Sequence, residues 1–438
     1  MCRSWSHAVA DRKQTGNDKV LLIVEGLLKY STYLLIFYVM TDMRKGGDLR
    51  HVTPYIIVAL TMTYVVIKRD AAIFQSPLFY ALSGYVLVSY LLLPFSLDAS
   101  VSFTALNRQV LSGLVLFLAL SVVVRTEDGL RHTMIFFAVL IAVISLGGYF
   151  TFIRHYVNQG ELGNLFPDIE ALRFTMHYNV FAMVLNILTP FVAAYMLRET
   201  KKRELFLFGM VLFIASSAVL LSLSRGGWAN MFIVACCFAY FLKGSLLSTK
   251  RFIAAAAAIL IIVAIIAVVV PTVKGRVQVT GQDIGTLNER TLIWQNSIQA
   301  IQHSPLVGWG YGDKIVWNGF PMVLDRASSP TVPEHVRIGS HNTVLHILFH
   351  QGVIGFLAFA PVLITGFMLV VRALRQARAD HAHQAMVVAV FAIFIGSFFV
   401  HSLIEIVQFR FIGIVLGIFA GLRWAKKAPS YEDSEHYA

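Results

Sequence analysis

The sequence predicts an all-α integral membrane protein of about 12 transmembrane helices with one large polar loop, and three observations carry that prediction. The chain is 57% hydrophobic and only 14% charged, with a mean hydropathy of +0.70, which sets aside the soluble classes. Apolar runs recur along nearly its whole length, and about 20 such residues cross a bilayer. Lys and Arg are distributed unevenly between alternate connections, the pattern that orients membrane proteins.

Taken in order, the spans fall near 20–40, 52–67, 77–95, 110–124, 132–153, 178–197, 204–222, 228–242, 252–270, 343–371, 384–404 and 409–425. With both termini cytoplasmic, the inner segments (1–19, the alternate short connections and 426–438), counted with Arg423 at the inner end of span twelve, hold 21 of the 36 Lys and Arg. The short outer loops, counted with Arg410 at the outer end of span twelve, hold eight and the large outer loop six. The chain therefore divides into a cytoplasmic tail 1–19, spans one to nine over 20–270, an outer loop 271–342, spans ten to twelve over 343–425, and a cytoplasmic tail 426–438. The net charge of +12 is mostly an inner collar suited to anionic membrane lipids, and nucleic acid is not expected as a partner. Polar residues precede span one and no A-x-A-like site follows it, so it reads as an uncleaved anchor. Cys2, Cys236 and Cys237 form no disulfide or metal framework.

The outer loops 41–51 and 96–109 carry Asp42, Asp48 and Asp98 but no paired DxD of the kind that holds a divalent ion against a diphosphate. The loop 154–177 ends in Arg173-Phe-Thr-Met-His-Tyr-Asn179 at the lip of span six; Arg173 there reads equally as a snorkelling anchor or as a ligand. Spans seven and eight meet at Leu221-Ser-Leu-Ser-Arg-Gly-Gly-Trp228. Arg225 sits in that turn between two apolar helices, where a charge is costly and by default functional; a headgroup anchor is the plain alternative. Gly226 and Gly227 would let the backbone turn tightly.

The loop 271–342 is too long for a plain connector. Thr286-Leu-Asn-Glu289 fits a capping box, and helical periodicity follows to His303-Ser304-Pro305, with Leu287, Trp294, Ile298 and Ile301 as an apolar stripe and Arg290 at its edge. Pro305-Leu-Val-Gly-Trp-Gly-Tyr-Gly312 reads as a tight surface turn, with a phosphate cradle as a weaker alternative. Ser340 suits the N-cap of span ten, leaving first-turn N–H groups facing outward beside His341 and Asn342, a place that favours anions. His341 by itself reads as a packed or interfacial residue. His346 and His350 have the i, i+4 spacing of a metal pair, but without nearby carboxylates or cysteines they read as packing or hydrogen-bonding groups.

Three segments together, Leu223-Ser-Arg-Gly-Gly227, Ser304-Pro-Leu-Val-Gly-Trp-Gly310 and Ser340-His-Asn-Thr-Val-Leu345 with Gly352 and Gly355, resemble the O-antigen ligase and polymerase superfamily of bacterial envelope glycosyltransferases. The Arg173 to Asn179 segment is similar to its arginine-and-asparagine motif, and the resemblance covers roughly 170 to 405. It implies a GT-C-like transferase of the bacterial inner membrane, acting in lipopolysaccharide biosynthesis with its active site periplasmic. The implied donor is undecaprenyl pyrophosphate-linked glycan and the acceptor the lipid A-core. It also implies His341 as the catalytic base and Arg225, Arg290 and Arg173 on the pyrophosphate, with Ser340, Asn342 and Asn179 in support. No metal or other cofactor is expected, because permanent guanidinium charge can neutralise a pyrophosphate leaving group, and displacement would invert the anomeric centre. An O-antigen polymerase is the alternative within the superfamily. A transporter of the lipid-linked glycan is the alternative outside it, though no inverted repeat or midplane charge ladder is visible.

Overall fold

The computed structural model describes residues 16–41, 49–69, 71–159, 178–197, 201–222, 224–242, 284–312, 315, 340–377, 381–403 and 405–425. All regular secondary structure among them is helical: α1 (Gly16–Thr41), α2 (Leu49–Lys68), α3 (Pro77–Leu91), α4 (Ala99–Leu106), α5 (Ser112–Val123), α6 (Glu127–Gln159), α7 (Tyr178–Met196), α8 (Lys202–Leu221), α9 (Arg225–Leu242), α10 (Ile284–His303), α11 (Thr343–Gln376), α12 (His381–Ile393) and α13 (Phe409–Ala425). Nine stretches among the described residues are long and apolar enough to cross a membrane, and Val52–Lys68 is a shorter apolar helix. Eleven of the twelve expected spans coincide with described helices; the one at 252–270 lies outside the described residues. The outward faces carry large bare apolar side chains, among them Val66 (74% exposed), Phe206 (67%) and Met368 (65%). Such a surface is satisfied by lipid, and the protein is a multi-pass membrane protein.

Local chemistry sets several helix starts. Ser76 caps α3 by accepting from the Leu78 N–H, with Pro77 in the first turn. Asp98 caps α4 by accepting from the Val101 N–H at 2.9 Å. That cap corrects the expected loop 96–109: the chain is helical from Ala99, continues through a π-helical turn (Asn107–Leu111) and runs on as α5. Ser100, Ser102, Thr104, Asn107 and Arg108 dilute the hydropathy of its first turns, which is why hydropathy alone starts this span at residue 110.

The tightest pair is α5 with α13. Gly413, Gly417 and Gly421 recur every four residues along α13; a Cβ at Gly413 would lie 2.0 Å from the Gly113 carbonyl oxygen, and one at Gly417 2.9 Å from that of Phe117. Between helices in lipid, where apolar burial gives little drive, such small-residue ridges let backbones meet and dispersion hold them. α7 and α12 form the other buried pair, with Met183, Leu185, Phe191, Met386, Val390 and Ile393 fully covered.

Gly413→Val should drive the α5 and α13 backbones apart and lower stability by about 1–3 kcal/mol. Gly84→Ala, where an added Cβ meets nothing within 4 Å, should be neutral in the same detergent melting experiment.

Candidate active site

Two connections and one broken helix build the site. α11 is interrupted at Gly352 (φ 63°, ψ −165°), which withdraws backbone groups from the helical ladder within a stretch long and apolar enough to cross a membrane. An unpaired amide in such surroundings is costly, and a broken helix survives there only where protein supplies the missing bonds. The 305–312 turn supplies them. Trp309 N–H donates to Phe349 O (3.0 Å) and Gly310 N–H to His350 O (2.9 Å), while Pro305 O accepts from Val353 N–H (2.8 Å) and Leu306 O from Ile354 N–H (3.1 Å). Gly308 (φ 70°) and Gly352 are the points of closest approach: a Cβ at Gly308 would lie 2.4 Å from Gln351 N, and one at Gly352 2.3 Å from the Leu306 carbonyl.

This corrects the expectation of a surface turn. The glycines form an internal plug, and the phosphate-cradle alternative falls with it, since the N–H groups of 308–311 are all spent on Ser304, Phe349, His350 and Ser102. His350 Nδ1 bonds Gly310 O (2.5 Å), its ring lies 4.2 Å from that of His346, and Tyr311 packs on both, so this pair packs and hydrogen-bonds as expected. Beside the break, Gln351 accepts from Tyr85 Oη and donates to Ser89 Oγ, each at 2.8 Å, tying α11 to α3.

At the start of α11 the cap is Asn342, two residues later than expected: its Oδ1 accepts from Val344 N–H (2.9 Å) and Leu345 N–H (3.1 Å). Two of the first-turn donors expected to favour an anion are thus taken by Asn342. Ser340 instead turns back, donating to Asn342 O (3.0 Å). His341 lies just outside the helix at φ 44°, a left-handed conformation that histidine adopts more readily than most residues but still at some cost. Its side chain is 19% exposed, and Nδ1 lies 3.4 Å from both carboxylate oxygens of Glu405, which is 6% exposed.

Glu405 was missed in the sequence, although a lone carboxylate in the short connection before α13 was the signal available. That connection is clamped to α11. Thr343 Oγ1 donates to Glu405 O (3.1 Å) and accepts from Val407 N–H (2.9 Å), and Asn342 Nδ2 donates to Leu403 O (3.3 Å). A carboxylate can only accept, so a neutral His341 facing it carries its proton on Nδ1 and its lone pair on Nε2.

The other candidates divide. Arg225 is the first residue of α9 and is exposed. Ser224 caps that helix, accepting from Gly227 N–H (3.0 Å) and donating to Asn179 Oδ1 (2.7 Å), so Asn179 and Arg225 are neighbours through it. Gly226 and Gly227 do not form the turn as expected; both are buried in the first turn of α9, and a Cβ at Gly227 would lie 2.5 Å from Ala182 Cβ on α7. Asn230 one turn on donates to Ser397 Oγ (2.9 Å), and the stretch from there through His401–Leu403 touches both α9 and α11.

α10 begins at Ile284, so Thr286 is inside it rather than capping it, and its buried side is Ile293, Asn296, Ser297 and Ala300. Of the expected stripe, Ile301 packs against Ala300, Ile315 and Phe349 and Trp294 is half-buried, whereas Ile298 is 45% exposed while polar Asn296 and Ser297 pack inward; the side chain of Leu287 lies outside the described residues. Trp294 Nε1 donates to Ser340 O (3.0 Å), one turn after Arg290 and directly before His341. The side chain of Arg290 and all of Arg173 lie outside the described residues.

Residues 210–360 match the family model described as O-antigen ligase. That segment, about a third of the chain, is similar to the O-antigen ligase family. It is also 36% identical over 94 residues to the exopolysaccharide production protein ExoQ of Rhizobium meliloti (strain 1021), a match over 20% of this chain and 20% of that protein's length. The O-antigen ligase superfamily consists of glycosyltransferase-like enzymes. Its matched segment takes in α9 with Arg225, α10 with Arg290, the plug, and His341 with the start of α11; Glu405 and Asn179 lie beyond it.

Gly352→Ala should strain φ and push the plug out of the break. We expect a lower melting temperature and faster proteolysis within 305–312, compared with Gly84→Ala as the control.

Proposed function

We propose that this protein is a membrane-embedded, GT-C-like glycosyltransferase of about 12 spans that takes glycan from undecaprenyl pyrophosphate and joins it to a hydroxyl of the lipid A-core. In this reading it resides in the bacterial inner membrane with both termini cytoplasmic and His341 on the periplasmic side. The observation that carries the reading is the contact of His341 Nδ1 with Glu405 at the start of α11.

The chemistry follows from that pair. The acceptor hydroxyl gives its proton to His341 Nε2 as its oxygen attacks the anomeric carbon, and Glu405 stabilises the imidazolium that forms. The bond from the anomeric carbon to the pyrophosphate oxygen breaks, and its electron pair leaves with undecaprenyl pyrophosphate, so the anomeric centre inverts. Arg225, Arg290 and Arg173 hold the pyrophosphate, since their planar forks match phosphate oxygens and keep their charge at any physiological pH. Asn179 supports the Arg225 turn through Ser224, and Ser340 and Asn342 fix the backbone on either side of His341. No divalent metal is needed for this scheme.

A second reading, polymerisation, is favoured by the likeness to an exopolysaccharide production protein. Incubating purified protein in EDTA with lipid-linked glycan, with and without lipid A-core, separates the two. A glycan joined to the core supports ligation, elongated lipid-linked glycan supports polymerisation, and transport alone leaves every covalent bond intact. Loss of product in EDTA with recovery in Mg²⁺ would overturn the metal-free scheme.

His341→Ala should cost about 10²- to 10⁴-fold in turnover, the usual worth of a general base. Glu405→Gln should cost part of that, with membrane insertion unchanged; normal rates in both would reduce the dyad to packing. Arg225→Lys and Arg290→Lys should each weaken transfer although the charge is kept, because a bidentate fork is lost. Normal kinetics in both lysine variants would leave these arginines as interfacial anchors.

A further inference from the structure

A cavity of about 320 Å³ lies between the ends of α1 and α2, the π-helical turn after α4, and the start of α13. Arg108 and Arg410 both line it, while Leu35, Val39, Pro54 and Leu111 supply apolar wall. Neither arginine belongs to the candidate active site. Arg410 is 3% exposed, its Nε donating to Gln408 Oε1, and Arg108 is carried by the π turn, a distortion that often marks functional positions in helices. Tyr90 Oη donates to Asn107 Oδ1 (2.5 Å), holding that turn against α3. On the outward side, Tyr55 (55% exposed) and Phe103 (49%) flank the space.

Two guanidinium groups brought to one apolar-walled space at the end of a membrane bundle are costly, and their default reading is a functional one. We propose that this cavity is a binding site for the phosphate of an anionic lipid headgroup, gripped by Arg108 and Arg410, with the lipid tail leaving past Tyr55 and Phe103. Guanidinium forks match phosphate oxygens in pairs, and the cavity is at the small end of the range for ligand sites, large enough for a headgroup and too small for a whole lipid. The apolar rim argues for a lipid source over free phosphate. The site stands whether or not the transfer reaction is as proposed above.

The test is native mass spectrometry of the purified full-length protein in detergent, titrated with dioleoyl phosphatidic acid, with dioleoylglycerol as the neutral control. A saturable adduct with phosphatidic acid alone, weakened about tenfold or more by Arg108→Gln and by Arg410→Gln, supports the site. Because Arg410 is buried and its loss could unfold the protein, Thr104→Trp, which fills the space from an exposed position, should also abolish the adduct while the melting temperature holds. Equal binding of dioleoylglycerol, or unchanged affinity in Arg108→Gln and Thr104→Trp, overturns the proposal. Displacement of the lipid by an equimolar amount of inorganic phosphate overturns the lipid source.

Discussion

The break at Gly352 is the constraint from which the site's geometry follows. Once α11 is interrupted, two carbonyls and two N–H groups need partners, and only a turn able to enter the gap with positive φ can provide them. Filling the gap with the 305–312 turn fixes the end of α10, because Trp309 Nε1 bonds Ala300 O and Ser304 follows directly on His303. α10 then lies along the start of α11 with Trp294 reaching Ser340. The backbone on the N-terminal side of His341 is thus held by a helix whose own position is set by the plug.

The C-terminal side of His341 is held differently. Asn342 caps α11, while Thr343 both donates to and accepts from the connection that carries Glu405. A residue at φ 44° persists only if its surroundings fix it from both sides, and here they do. The same clamp delivers the carboxylate to Nδ1. Stability of the junction and orientation of the imidazole are therefore one set of hydrogen bonds, which is why no flexible loop is needed to aim the ring.

The spans were legible because apolar length is a local signal: α1, α3, α7, α8, α11 and α12 fall close to where hydropathy places them. What failed was anything decided by a distant partner. Three glycines between 308 and 312 announce unusual backbone, but only the break 40 residues on explains it, and nothing in the turn itself distinguishes a plug from a surface loop. Ser340 and Asn342 are both acceptable caps in sequence, and tertiary contact from Trp294 decides between them by occupying Ser340 O. The stripe on α10 departs from expectation at Ile298, which faces out while polar Asn296 and Ser297 face inward, the reverse of a soluble helix rule. The pairing of Glu405 with His341 is hidden for a simpler reason: the lone carboxylate is visible in the sequence, but it is 64 residues from His341, and spacing arguments do not reach that far.

The short connection into α13 and the first turn of that helix carry two opposite charges to two different places. Glu405 turns to His341, and five residues later Arg410 turns into the cavity beside Arg108. Between them the chain has little freedom: Val407 N–H is bonded to Thr343 Oγ1, and Gln408 accepts both from Phe411 N–H through its backbone and from Arg410 Nε through its side chain. Beyond it, Phe409 is wedged against Gly113 and Tyr85, at the top of the glycine ridge that locks α13 to α5. The close α5–α13 contact therefore does more than stabilise the bundle. It anchors the segment that presents both charges, so the carboxylate behind the imidazole and the arginine in the cavity are positioned by the same backbone contact.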